Sequence, residues 1–224
     1  MLNDVKHVFK LDPAKEISDE ELEELAESKT DLIVVGGTDN VTEDNVLDLL
    51  ARVRRYSVPL ALEISNTHSV IGGFDHYFIP VVFNTTNMKY HNGLLVEALN
   101  EYHEIIDYDE VSILPYIILN EDCKAFKKAE CYLPDSETLT SLVTMIDQLY
   151  KSEYIYIECS GKLMNTEQLK TISELVKNSH LIYGGGIKTR EEFKERKPYA
   201  ETLVVGNSIY SDFKHALKTT NEVE

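Results

Sequence analysis

Positive charge is scarce in this chain. Twenty-two Lys and Arg stand against 39 Asp and Glu in 224 residues, leaving a net charge of −17 at neutral pH and a pI near 4.8. A surface of that sign repels polyanions, so nucleic acid is excluded as a partner, and any phosphate site must be local. Cysteine is scarcer still. Cys123, Cys131 and Cys159 form no CxxC or zinc-ligand spacing and cannot all pair, which suits reduced thiols. The seven histidines fall in no HxH or HExxH pattern and are read as structural or surface residues. No apolar run approaches the ~20 residues of a membrane span, and no signal-peptide core opens the chain, so a cytoplasmic protein is expected. Internal repeats and low-complexity tracts are missing too.

What is present is a regular alternation. Eight β-rich, apolar runs read as strands, at 7–11, 31–36, 59–64, 76–83, 111–119, 154–159, 180–183 and 202–205. Acidic helices lie between them. Ser18 with Glu21 and Thr189 with Glu192 have capping-box spacing, and Thr42 before Glu43 and Asp44 marks another helix start. Near-continuous apolar strands in βα units predict a parallel sheet, and eight such units predict closure into an α/β, (β/α)8 barrel. With 43% hydrophobic residues the chain supports one large core, so residues 1–224 are read as a single domain. One unit breaks the rhythm: NTHSVIGGF at 66–74 is too short and Gly-rich for a barrel helix, so the third helix should be irregular or missing. A second irregular stretch, 123–135, could cover the barrel mouth.

The last two βα junctions carry the clearest chemical signal. YGGGIK at 183–188 and VVGN at 204–207 each follow a strand and open onto a helix. Glycines let backbone N–H groups approach an anion, and the helix start adds partial positive charge, so the pair reads as a phosphate cradle. Other strand ends ring the same mouth. Lys10 and Asp12, two apart, share one face of the first strand. Their reading is either an interior ion pair or a phosphate cation beside a Mg2+ carboxylate. Thr38 and Asp39 follow Gly36–Gly37 after the second strand, as helix caps or as part of a metal shell. Glu158 ends an otherwise apolar strand, where a carboxylate needs a partner or a task. Ser160 and Gly161 follow it as further phosphate donors. Lys10 as a Schiff-base nucleophile on a phosphosugar, or a non-catalytic phosphate binder, are the competing readings.

The segments KHVFKLDP (6–13), VVGGTDNVTEDNV (34–46), EISNTHSVIGGFDHYFIPVVFN (63–84), YIECSG (156–161), YGGGIK (183–188) and VVGNSIYSDF (204–213) together resemble the bacterial PcrB proteins. These form part of the geranylgeranylglyceryl phosphate synthase superfamily, and the resemblance spans essentially the whole chain. It implies a modified TIM barrel, usually a homodimer. The implied reaction is Mg2+-dependent transfer of a long prenyl group, heptaprenyl in the bacterial branch, from its diphosphate to the 3-hydroxyl of sn-glycerol 1-phosphate. The resemblance further implies that Asp12 and Thr38 hold the metal. Lys10, Tyr156, Ile157, Glu158, Cys159, Ser160, Gly161, Gly186, Gly206 and Asn207 would bind glycerol phosphate, with Glu158 also catalytic. Relatives carry Tyr where this chain has Cys159, so a backbone role is expected there rather than a ring contact. A helix over 92–105 borders the gap, and its Ala98 stands where shorter-chain relatives carry a bulky aromatic, which implies an open groove for a long donor. The enzyme would touch a membrane surface at most transiently.

Overall fold

The structure, a computed structural model, describes residues 2–223. Eight parallel strands close into a barrel in sequence order: β1 (His7–Leu11), β2 (Leu32–Val35), β3 (Leu60–Glu63), β4 (His76–Val82), β5 (Val111–Ile118), β6 (Tyr154–Glu158), β7 (His180–Gly184) and β8 (Thr202–Val205), with β8 paired to β1. Each sequence-predicted run matches its strand to within one residue at either end, the run at 180–183 stopping one residue short of Gly184. Those outer residues pass into the loops, as where the Gly36 N–H donates a last ladder bond to the Leu11 carbonyl at 2.9 Å.

Alternation along the strands creates two cores. Phe9, Leu11, Ile33, Val35, Leu60, Leu62, Ile155 and Ile157 face outward and are buried under the helices. Val8, Leu32, Val34, Ala61, Phe78, Leu114, Tyr116, Tyr154 and Tyr156 fill the barrel interior. The helices that cover the outer core are α1 (Asp19–Ala26), α2 (Glu43–Val53), α3 (Leu94–Tyr102), α5 (Ser136–Thr144), α6 (Thr166–Leu175), α7 (Arg190–Arg196), α8 (Ser208–Ser211) and α9 (Phe213–Leu217), while α4 (Lys124–Lys128) sets Ala125 and Phe126 against the inner one. Three of them start at reciprocal caps: Ser18 with Glu21, Thr42 with Asn45, and Thr189 with Glu192.

Between β3 and β4 the barrel has only a single 3-10 turn, Thr67–Ser69, in place of a helix. Helix α3, which follows a π turn at Lys89–Gly93, leans into that space: Tyr102 donates to the Thr67 carbonyl at 2.8 Å, and Thr67 donates to Glu97 at 3.2 Å. The helix is shorter than the 92–105 span predicted, because its first turn is π-wound and its last residues break into turns. Helix α4 lies within the irregular 123–135 stretch and borders the barrel mouth.

Candidate active site

A cavity of about 940 Å³ opens at the C-terminal ends of the strands, the face where barrels of this kind carry their chemistry. At its floor is a layer of charged and phenolic side chains. Lys10 of β1 donates to both carboxylate oxygens of Glu63 of β3, at 2.8 and 2.7 Å, and the Tyr116 hydroxyl of β5 donates a short bond to the same carboxylate. Tyr116 stacks on Tyr156 of β6 at 4.3 Å between ring centroids, and the Lys10 ammonium sits 5.8 Å from each ring. Burial pushes the Lys10 ammonium down, but Glu63 and Glu158 outweigh it and hold the ammonium above its ordinary value. Lys10 is therefore a fixed cation. Its partner is Glu63, and the alternative reading of an ion pair with Asp12 is corrected: Asp12 has Lys15 as its nearest cation, at 3.9 Å.

Glu158 completes this layer. Burial raises its carboxyl most, Glu63 adds to the rise, and Lys10 opposes it. Hydrogen bonds from the Ser160 amide and the Tyr156 hydroxyl also favour the charged form. The result is a carboxyl pushed up to about 7. A group with that value exchanges a proton readily near neutral pH.

Two residues of the predicted 156–161 segment do not face the cavity. Ile157 and Cys159 are buried between barrel and helices, because period-two alternation turns them away from Tyr156 and Glu158. The Cys159 backbone is also committed, its N–H to the Gly184 carbonyl at 2.7 Å and its carbonyl to the Lys162 N–H at 2.8 Å. Cys159 therefore shapes the loop rather than offering a ligand contact. Ser160 and Gly161 do line the cavity, opposite Gly186, Gly206 and Asn207. Gly186 has φ +67° and an added Cβ would lie 2.2 Å from the Leu163 nitrogen, so the turn after β7 demands glycine. A Cβ at Gly206 would meet nothing nearer than the Lys10 carbonyl at 3.5 Å; the room it leaves opens to the cavity, as a ligand cradle requires. Asn207 closes this side, donating to Ser160 at 3.1 Å and accepting from Lys15 at 2.8 Å.

The metal residues predicted from sequence, Asp12 and Thr38, follow β1 and β2 and line the same cavity. The loop after β2 approaches Asp12 closely: a Cβ on Gly37 would fall 2.4 Å from Asp12 Oδ1. Ala14 N–H and the Tyr210 hydroxyl fix the backbone and one oxygen of Asp12, at 3.1 Å to Oδ1 and 2.8 Å from Asp12 N–H to Tyr210. No group of three His, Cys, Asp or Glu side chains with metal-binding geometry occurs among the described residues. One carboxylate and one hydroxyl are hard oxygen donors, which suits a Mg2+ ion that keeps waters and substrate phosphates as its other ligands.

A third wall is apolar. Ile64, Pro80, Val82, Leu94 and Ile118 line it on the β3–β4 side, beside the 3-10 turn. Ala98 is one helical turn beyond Leu94 on the same face of α3, and both are buried. Sequence reasoning missed Glu63, Tyr116 and Tyr210. Glu63 had a signal, since it ends the apolar strand LALE as Glu158 ends YIYIE.

The PcrB family model matches residues 1–224. The chain belongs to the PcrB family. It is 45% identical to the heptaprenylglyceryl phosphate synthase of Oceanobacillus iheyensis over 224 residues, covering 100% of this chain and 98% of that protein. This PcrB protein also shares its fold with the (S)-3-O-geranylgeranylglyceryl phosphate synthase of Thermoplasma acidophilum, solved with sn-glycerol-1-phosphate, at TM-score 0.81 and 18% identity over 97% of this chain and 93% of that one. The GGGPS of Thermoplasma volcanium superposes at TM-score 0.82 with 18% identity, over 98% and 92% of the two chains. A thiamine phosphate pyrophosphorylase of Pyrococcus furiosus is more distant, at TM-score 0.59 and 13% identity over 99% and 94%.

Proposed function

We propose that this PcrB protein is a prenyltransferase that joins a long prenyl group, heptaprenyl, to the 3-hydroxyl of sn-glycerol 1-phosphate. The observation that carries the reading is one cavity in which a proton-exchanging carboxyl, Glu158, lies between a glycine-walled anion cradle and an apolar wall. The relative at 45% identity bears the name of that activity.

In this reading the cradle of Ser160, Gly161, Gly186, Gly206 and Asn207 holds the phosphomonoester, and Lys10 adds a fixed positive charge. The acceptor hydroxyl then points at Glu158. Asp12 and Thr38 would hold Mg2+, whose charge, when bound, neutralises the leaving diphosphate. As the bond between prenyl C1 and the diphosphate oxygen breaks, the glycerol oxygen bonds to C1 and its proton passes to Glu158. Tyr116 and Tyr156 stay protonated, since burial and the neighbouring carboxylates raise both well above the ordinary phenol range. They act as donors that fix the carboxylates. The apolar wall shelters the tail, at ~0.8 kcal/mol per buried methylene.

A Schiff-base aldolase needs a neutral lysine. Lys10, gripped by Glu63 and held above its usual value, is the wrong form for that chemistry. We place residues 1–224 in one cytosolic domain acting as a homodimer, as the family resemblance suggests. No described helix is long and apolar enough to cross a membrane, and the donor's tail calls for transient surface contact.

The direct test is incubation with Mg2+, labelled sn-glycerol 1-phosphate and prenyl diphosphates of graded length. An organic-extractable ether is expected, formed best with the thirty-five-carbon donor; no ether with any length rejects the proposal. Chain length has its own check at Ala98. Ala98→Trp should shift preference to shorter donors, and a folded variant that uses the longest donor as well as wild type puts the groove elsewhere.

A further inference from the structure

Six lysines and five acids line the cavity among the described residues, in a chain whose acids outnumber its cations 39 to 22 as a whole. Four of the lysines have a place in the site already. Lys10 is gripped by Glu63, and Lys15 is held by Asn207 and lies over the Tyr210 ring at 4.8 Å. Lys162 and Lys188 follow β6 and β7, beside the cradle.

The other two come from α4. Lys124 and Lys128 are four residues apart and so share one helix face, while Lys127 between them is not part of the cavity wall. Both reach across the mouth to the loop after β2. Lys128 donates a short bond to the Thr38 carbonyl, and Asp39 pairs with Lys124 at 3.3 Å and with Lys128 at 3.5 Å. These cations therefore converge on the segment that carries the proposed metal hydroxyl. Their hold on Asp39 is exchangeable, because the lysine side chains are 78% and 42% exposed and Asp39 is 42% exposed. Asp39 itself has no part in the proposed reaction.

We propose that Lys124 and Lys128 bind the diphosphate of the donor, and that Asp39 is the counter-ion they release when it arrives. This rests on the donor being a prenyl diphosphate. A diphosphate placed against Asp12 and Thr38 carries more charge than one divalent ion neutralises, and these two ammoniums are already held at the Thr38–Asp39 segment, Lys128 on the Thr38 carbonyl and both on Asp39. Oxygens of a diphosphate accept several charge-assisted hydrogen bonds where a single carboxylate offers two acceptor atoms. The exchange thus gains acceptors without moving the helix.

The test is calorimetric titration of the full chain with inorganic pyrophosphate in Mg2+, alongside titration with sn-glycerol 1-phosphate. Lys124→Ala with Lys128→Ala should weaken pyrophosphate binding at least ~30-fold, the loss of two charge-assisted contacts, and leave glycerol phosphate within about twofold. Lys127→Ala, on the same helix, should change neither. Asp39→Asn should tighten pyrophosphate about threefold or more, since the competing carboxylate is gone. The single variants Lys124→Arg and Lys128→Arg, which keep charge, should retain most of the affinity and guard against a folding artefact. Wild-type-like pyrophosphate binding in the double variant overturns the proposal, as does equal loss of both anions or no pyrophosphate binding by wild type. Failure of the prenyl-transfer reading would appear elsewhere, as a wild-type protein that makes no ether.

Discussion

At the base of the barrel, His7, His76 and His180 are the first residues of β1, β4 and β7, and each rests on hydroxyls. His7 bridges Thr30 at 2.9 Å and Thr219 at 2.8 Å, His76 meets Ser112 at 3.0 Å, and His180 meets Thr202 at 2.7 Å. Burial lowers the value of all three, that of His7 to about 3, so they sit neutral. At the mouth the corresponding groups are buried Glu63 and Glu158 and part-buried Lys10, charged or half-charged, and packed against two phenols. Polar groups can be buried at either end, but the three histidines at the base are satisfied by neutral hydrogen bonds, whereas the mouth holds a cation and two carboxyls within one network. Stability is built at one end and reactivity is stored at the other.

The contrast makes opposite predictions for pH. His7 binds its proton in the unfolded chain near 6.5 but in the folded chain only near 3, so its share of stability is present above 6.5 and is lost as pH falls toward 3. Glu158 runs the other way. Its folded value near 7 lies above the ordinary 4.5, so it favours folding below 4.5 and costs stability once pH rises through 7.

The largest expected effects are at the mouth. Asp12→Ala should abolish turnover by loss of Mg2+ and diphosphate binding, with the melting temperature unchanged; near-normal activity in EDTA would remove Asp12 from the metal site. Glu158→Gln should cost about 10³-fold in turnover, the scale of a lost general base. The same variant should be as stable as wild type or more so above pH 7, and less stability there would mean the carboxylate is fully paired. Wild-type activity should fall below pH 7 as Glu158 takes up its proton. Replacing sn-glycerol 1-phosphate by glycerol should slow the reaction ~100-fold, the penalty of leaving cradle donors unpaired. Comparable rates would remove the cradle from the mechanism.

The smallest kinetic effect is expected at the base. His7→Gln should leave the kinetic constants alone and lower stability by ~1–3 kcal/mol through lost buried hydrogen bonds. Its denaturation midpoint should depend less on pH between 6.5 and 3, by up to about 1.4 kcal/mol per pH unit for one proton. An unchanged slope would show that another group controls acid unfolding.

The barrel was legible because each strand is an apolar run and several helices have a local start signal, as at Ser18, Thr42 and Thr189. The missing third helix was legible for the same reason in reverse. The strand-end residues Asp12, Thr38, Glu158 and Gly206 could be chosen by position along a strand. Partners were harder. Which carboxylate grips Lys10 depends on how β1 and β3 are staggered around a closed barrel, and nothing within either segment encodes that. Tyr116 carries no mark at all, since a tyrosine inside a strand is ordinary. Gly36 hints at Glu63 only after folding, when a Cβ there is seen to fall 2.8 Å from the Glu63 Cβ.

The placement of six lysines inside a chain of net charge −17 has a kinetic consequence. An incoming phosphate first meets a repulsive far field and only within the mouth an attractive one. Salt screens the distant repulsion over a Debye length of ~10 Å at 0.1 M, yet reaches the enclosed Lys10 less. Moderate ionic strength should therefore quicken the encounter with anionic substrates, the reverse of what an electrostatically steered enzyme with a matching outer surface would do.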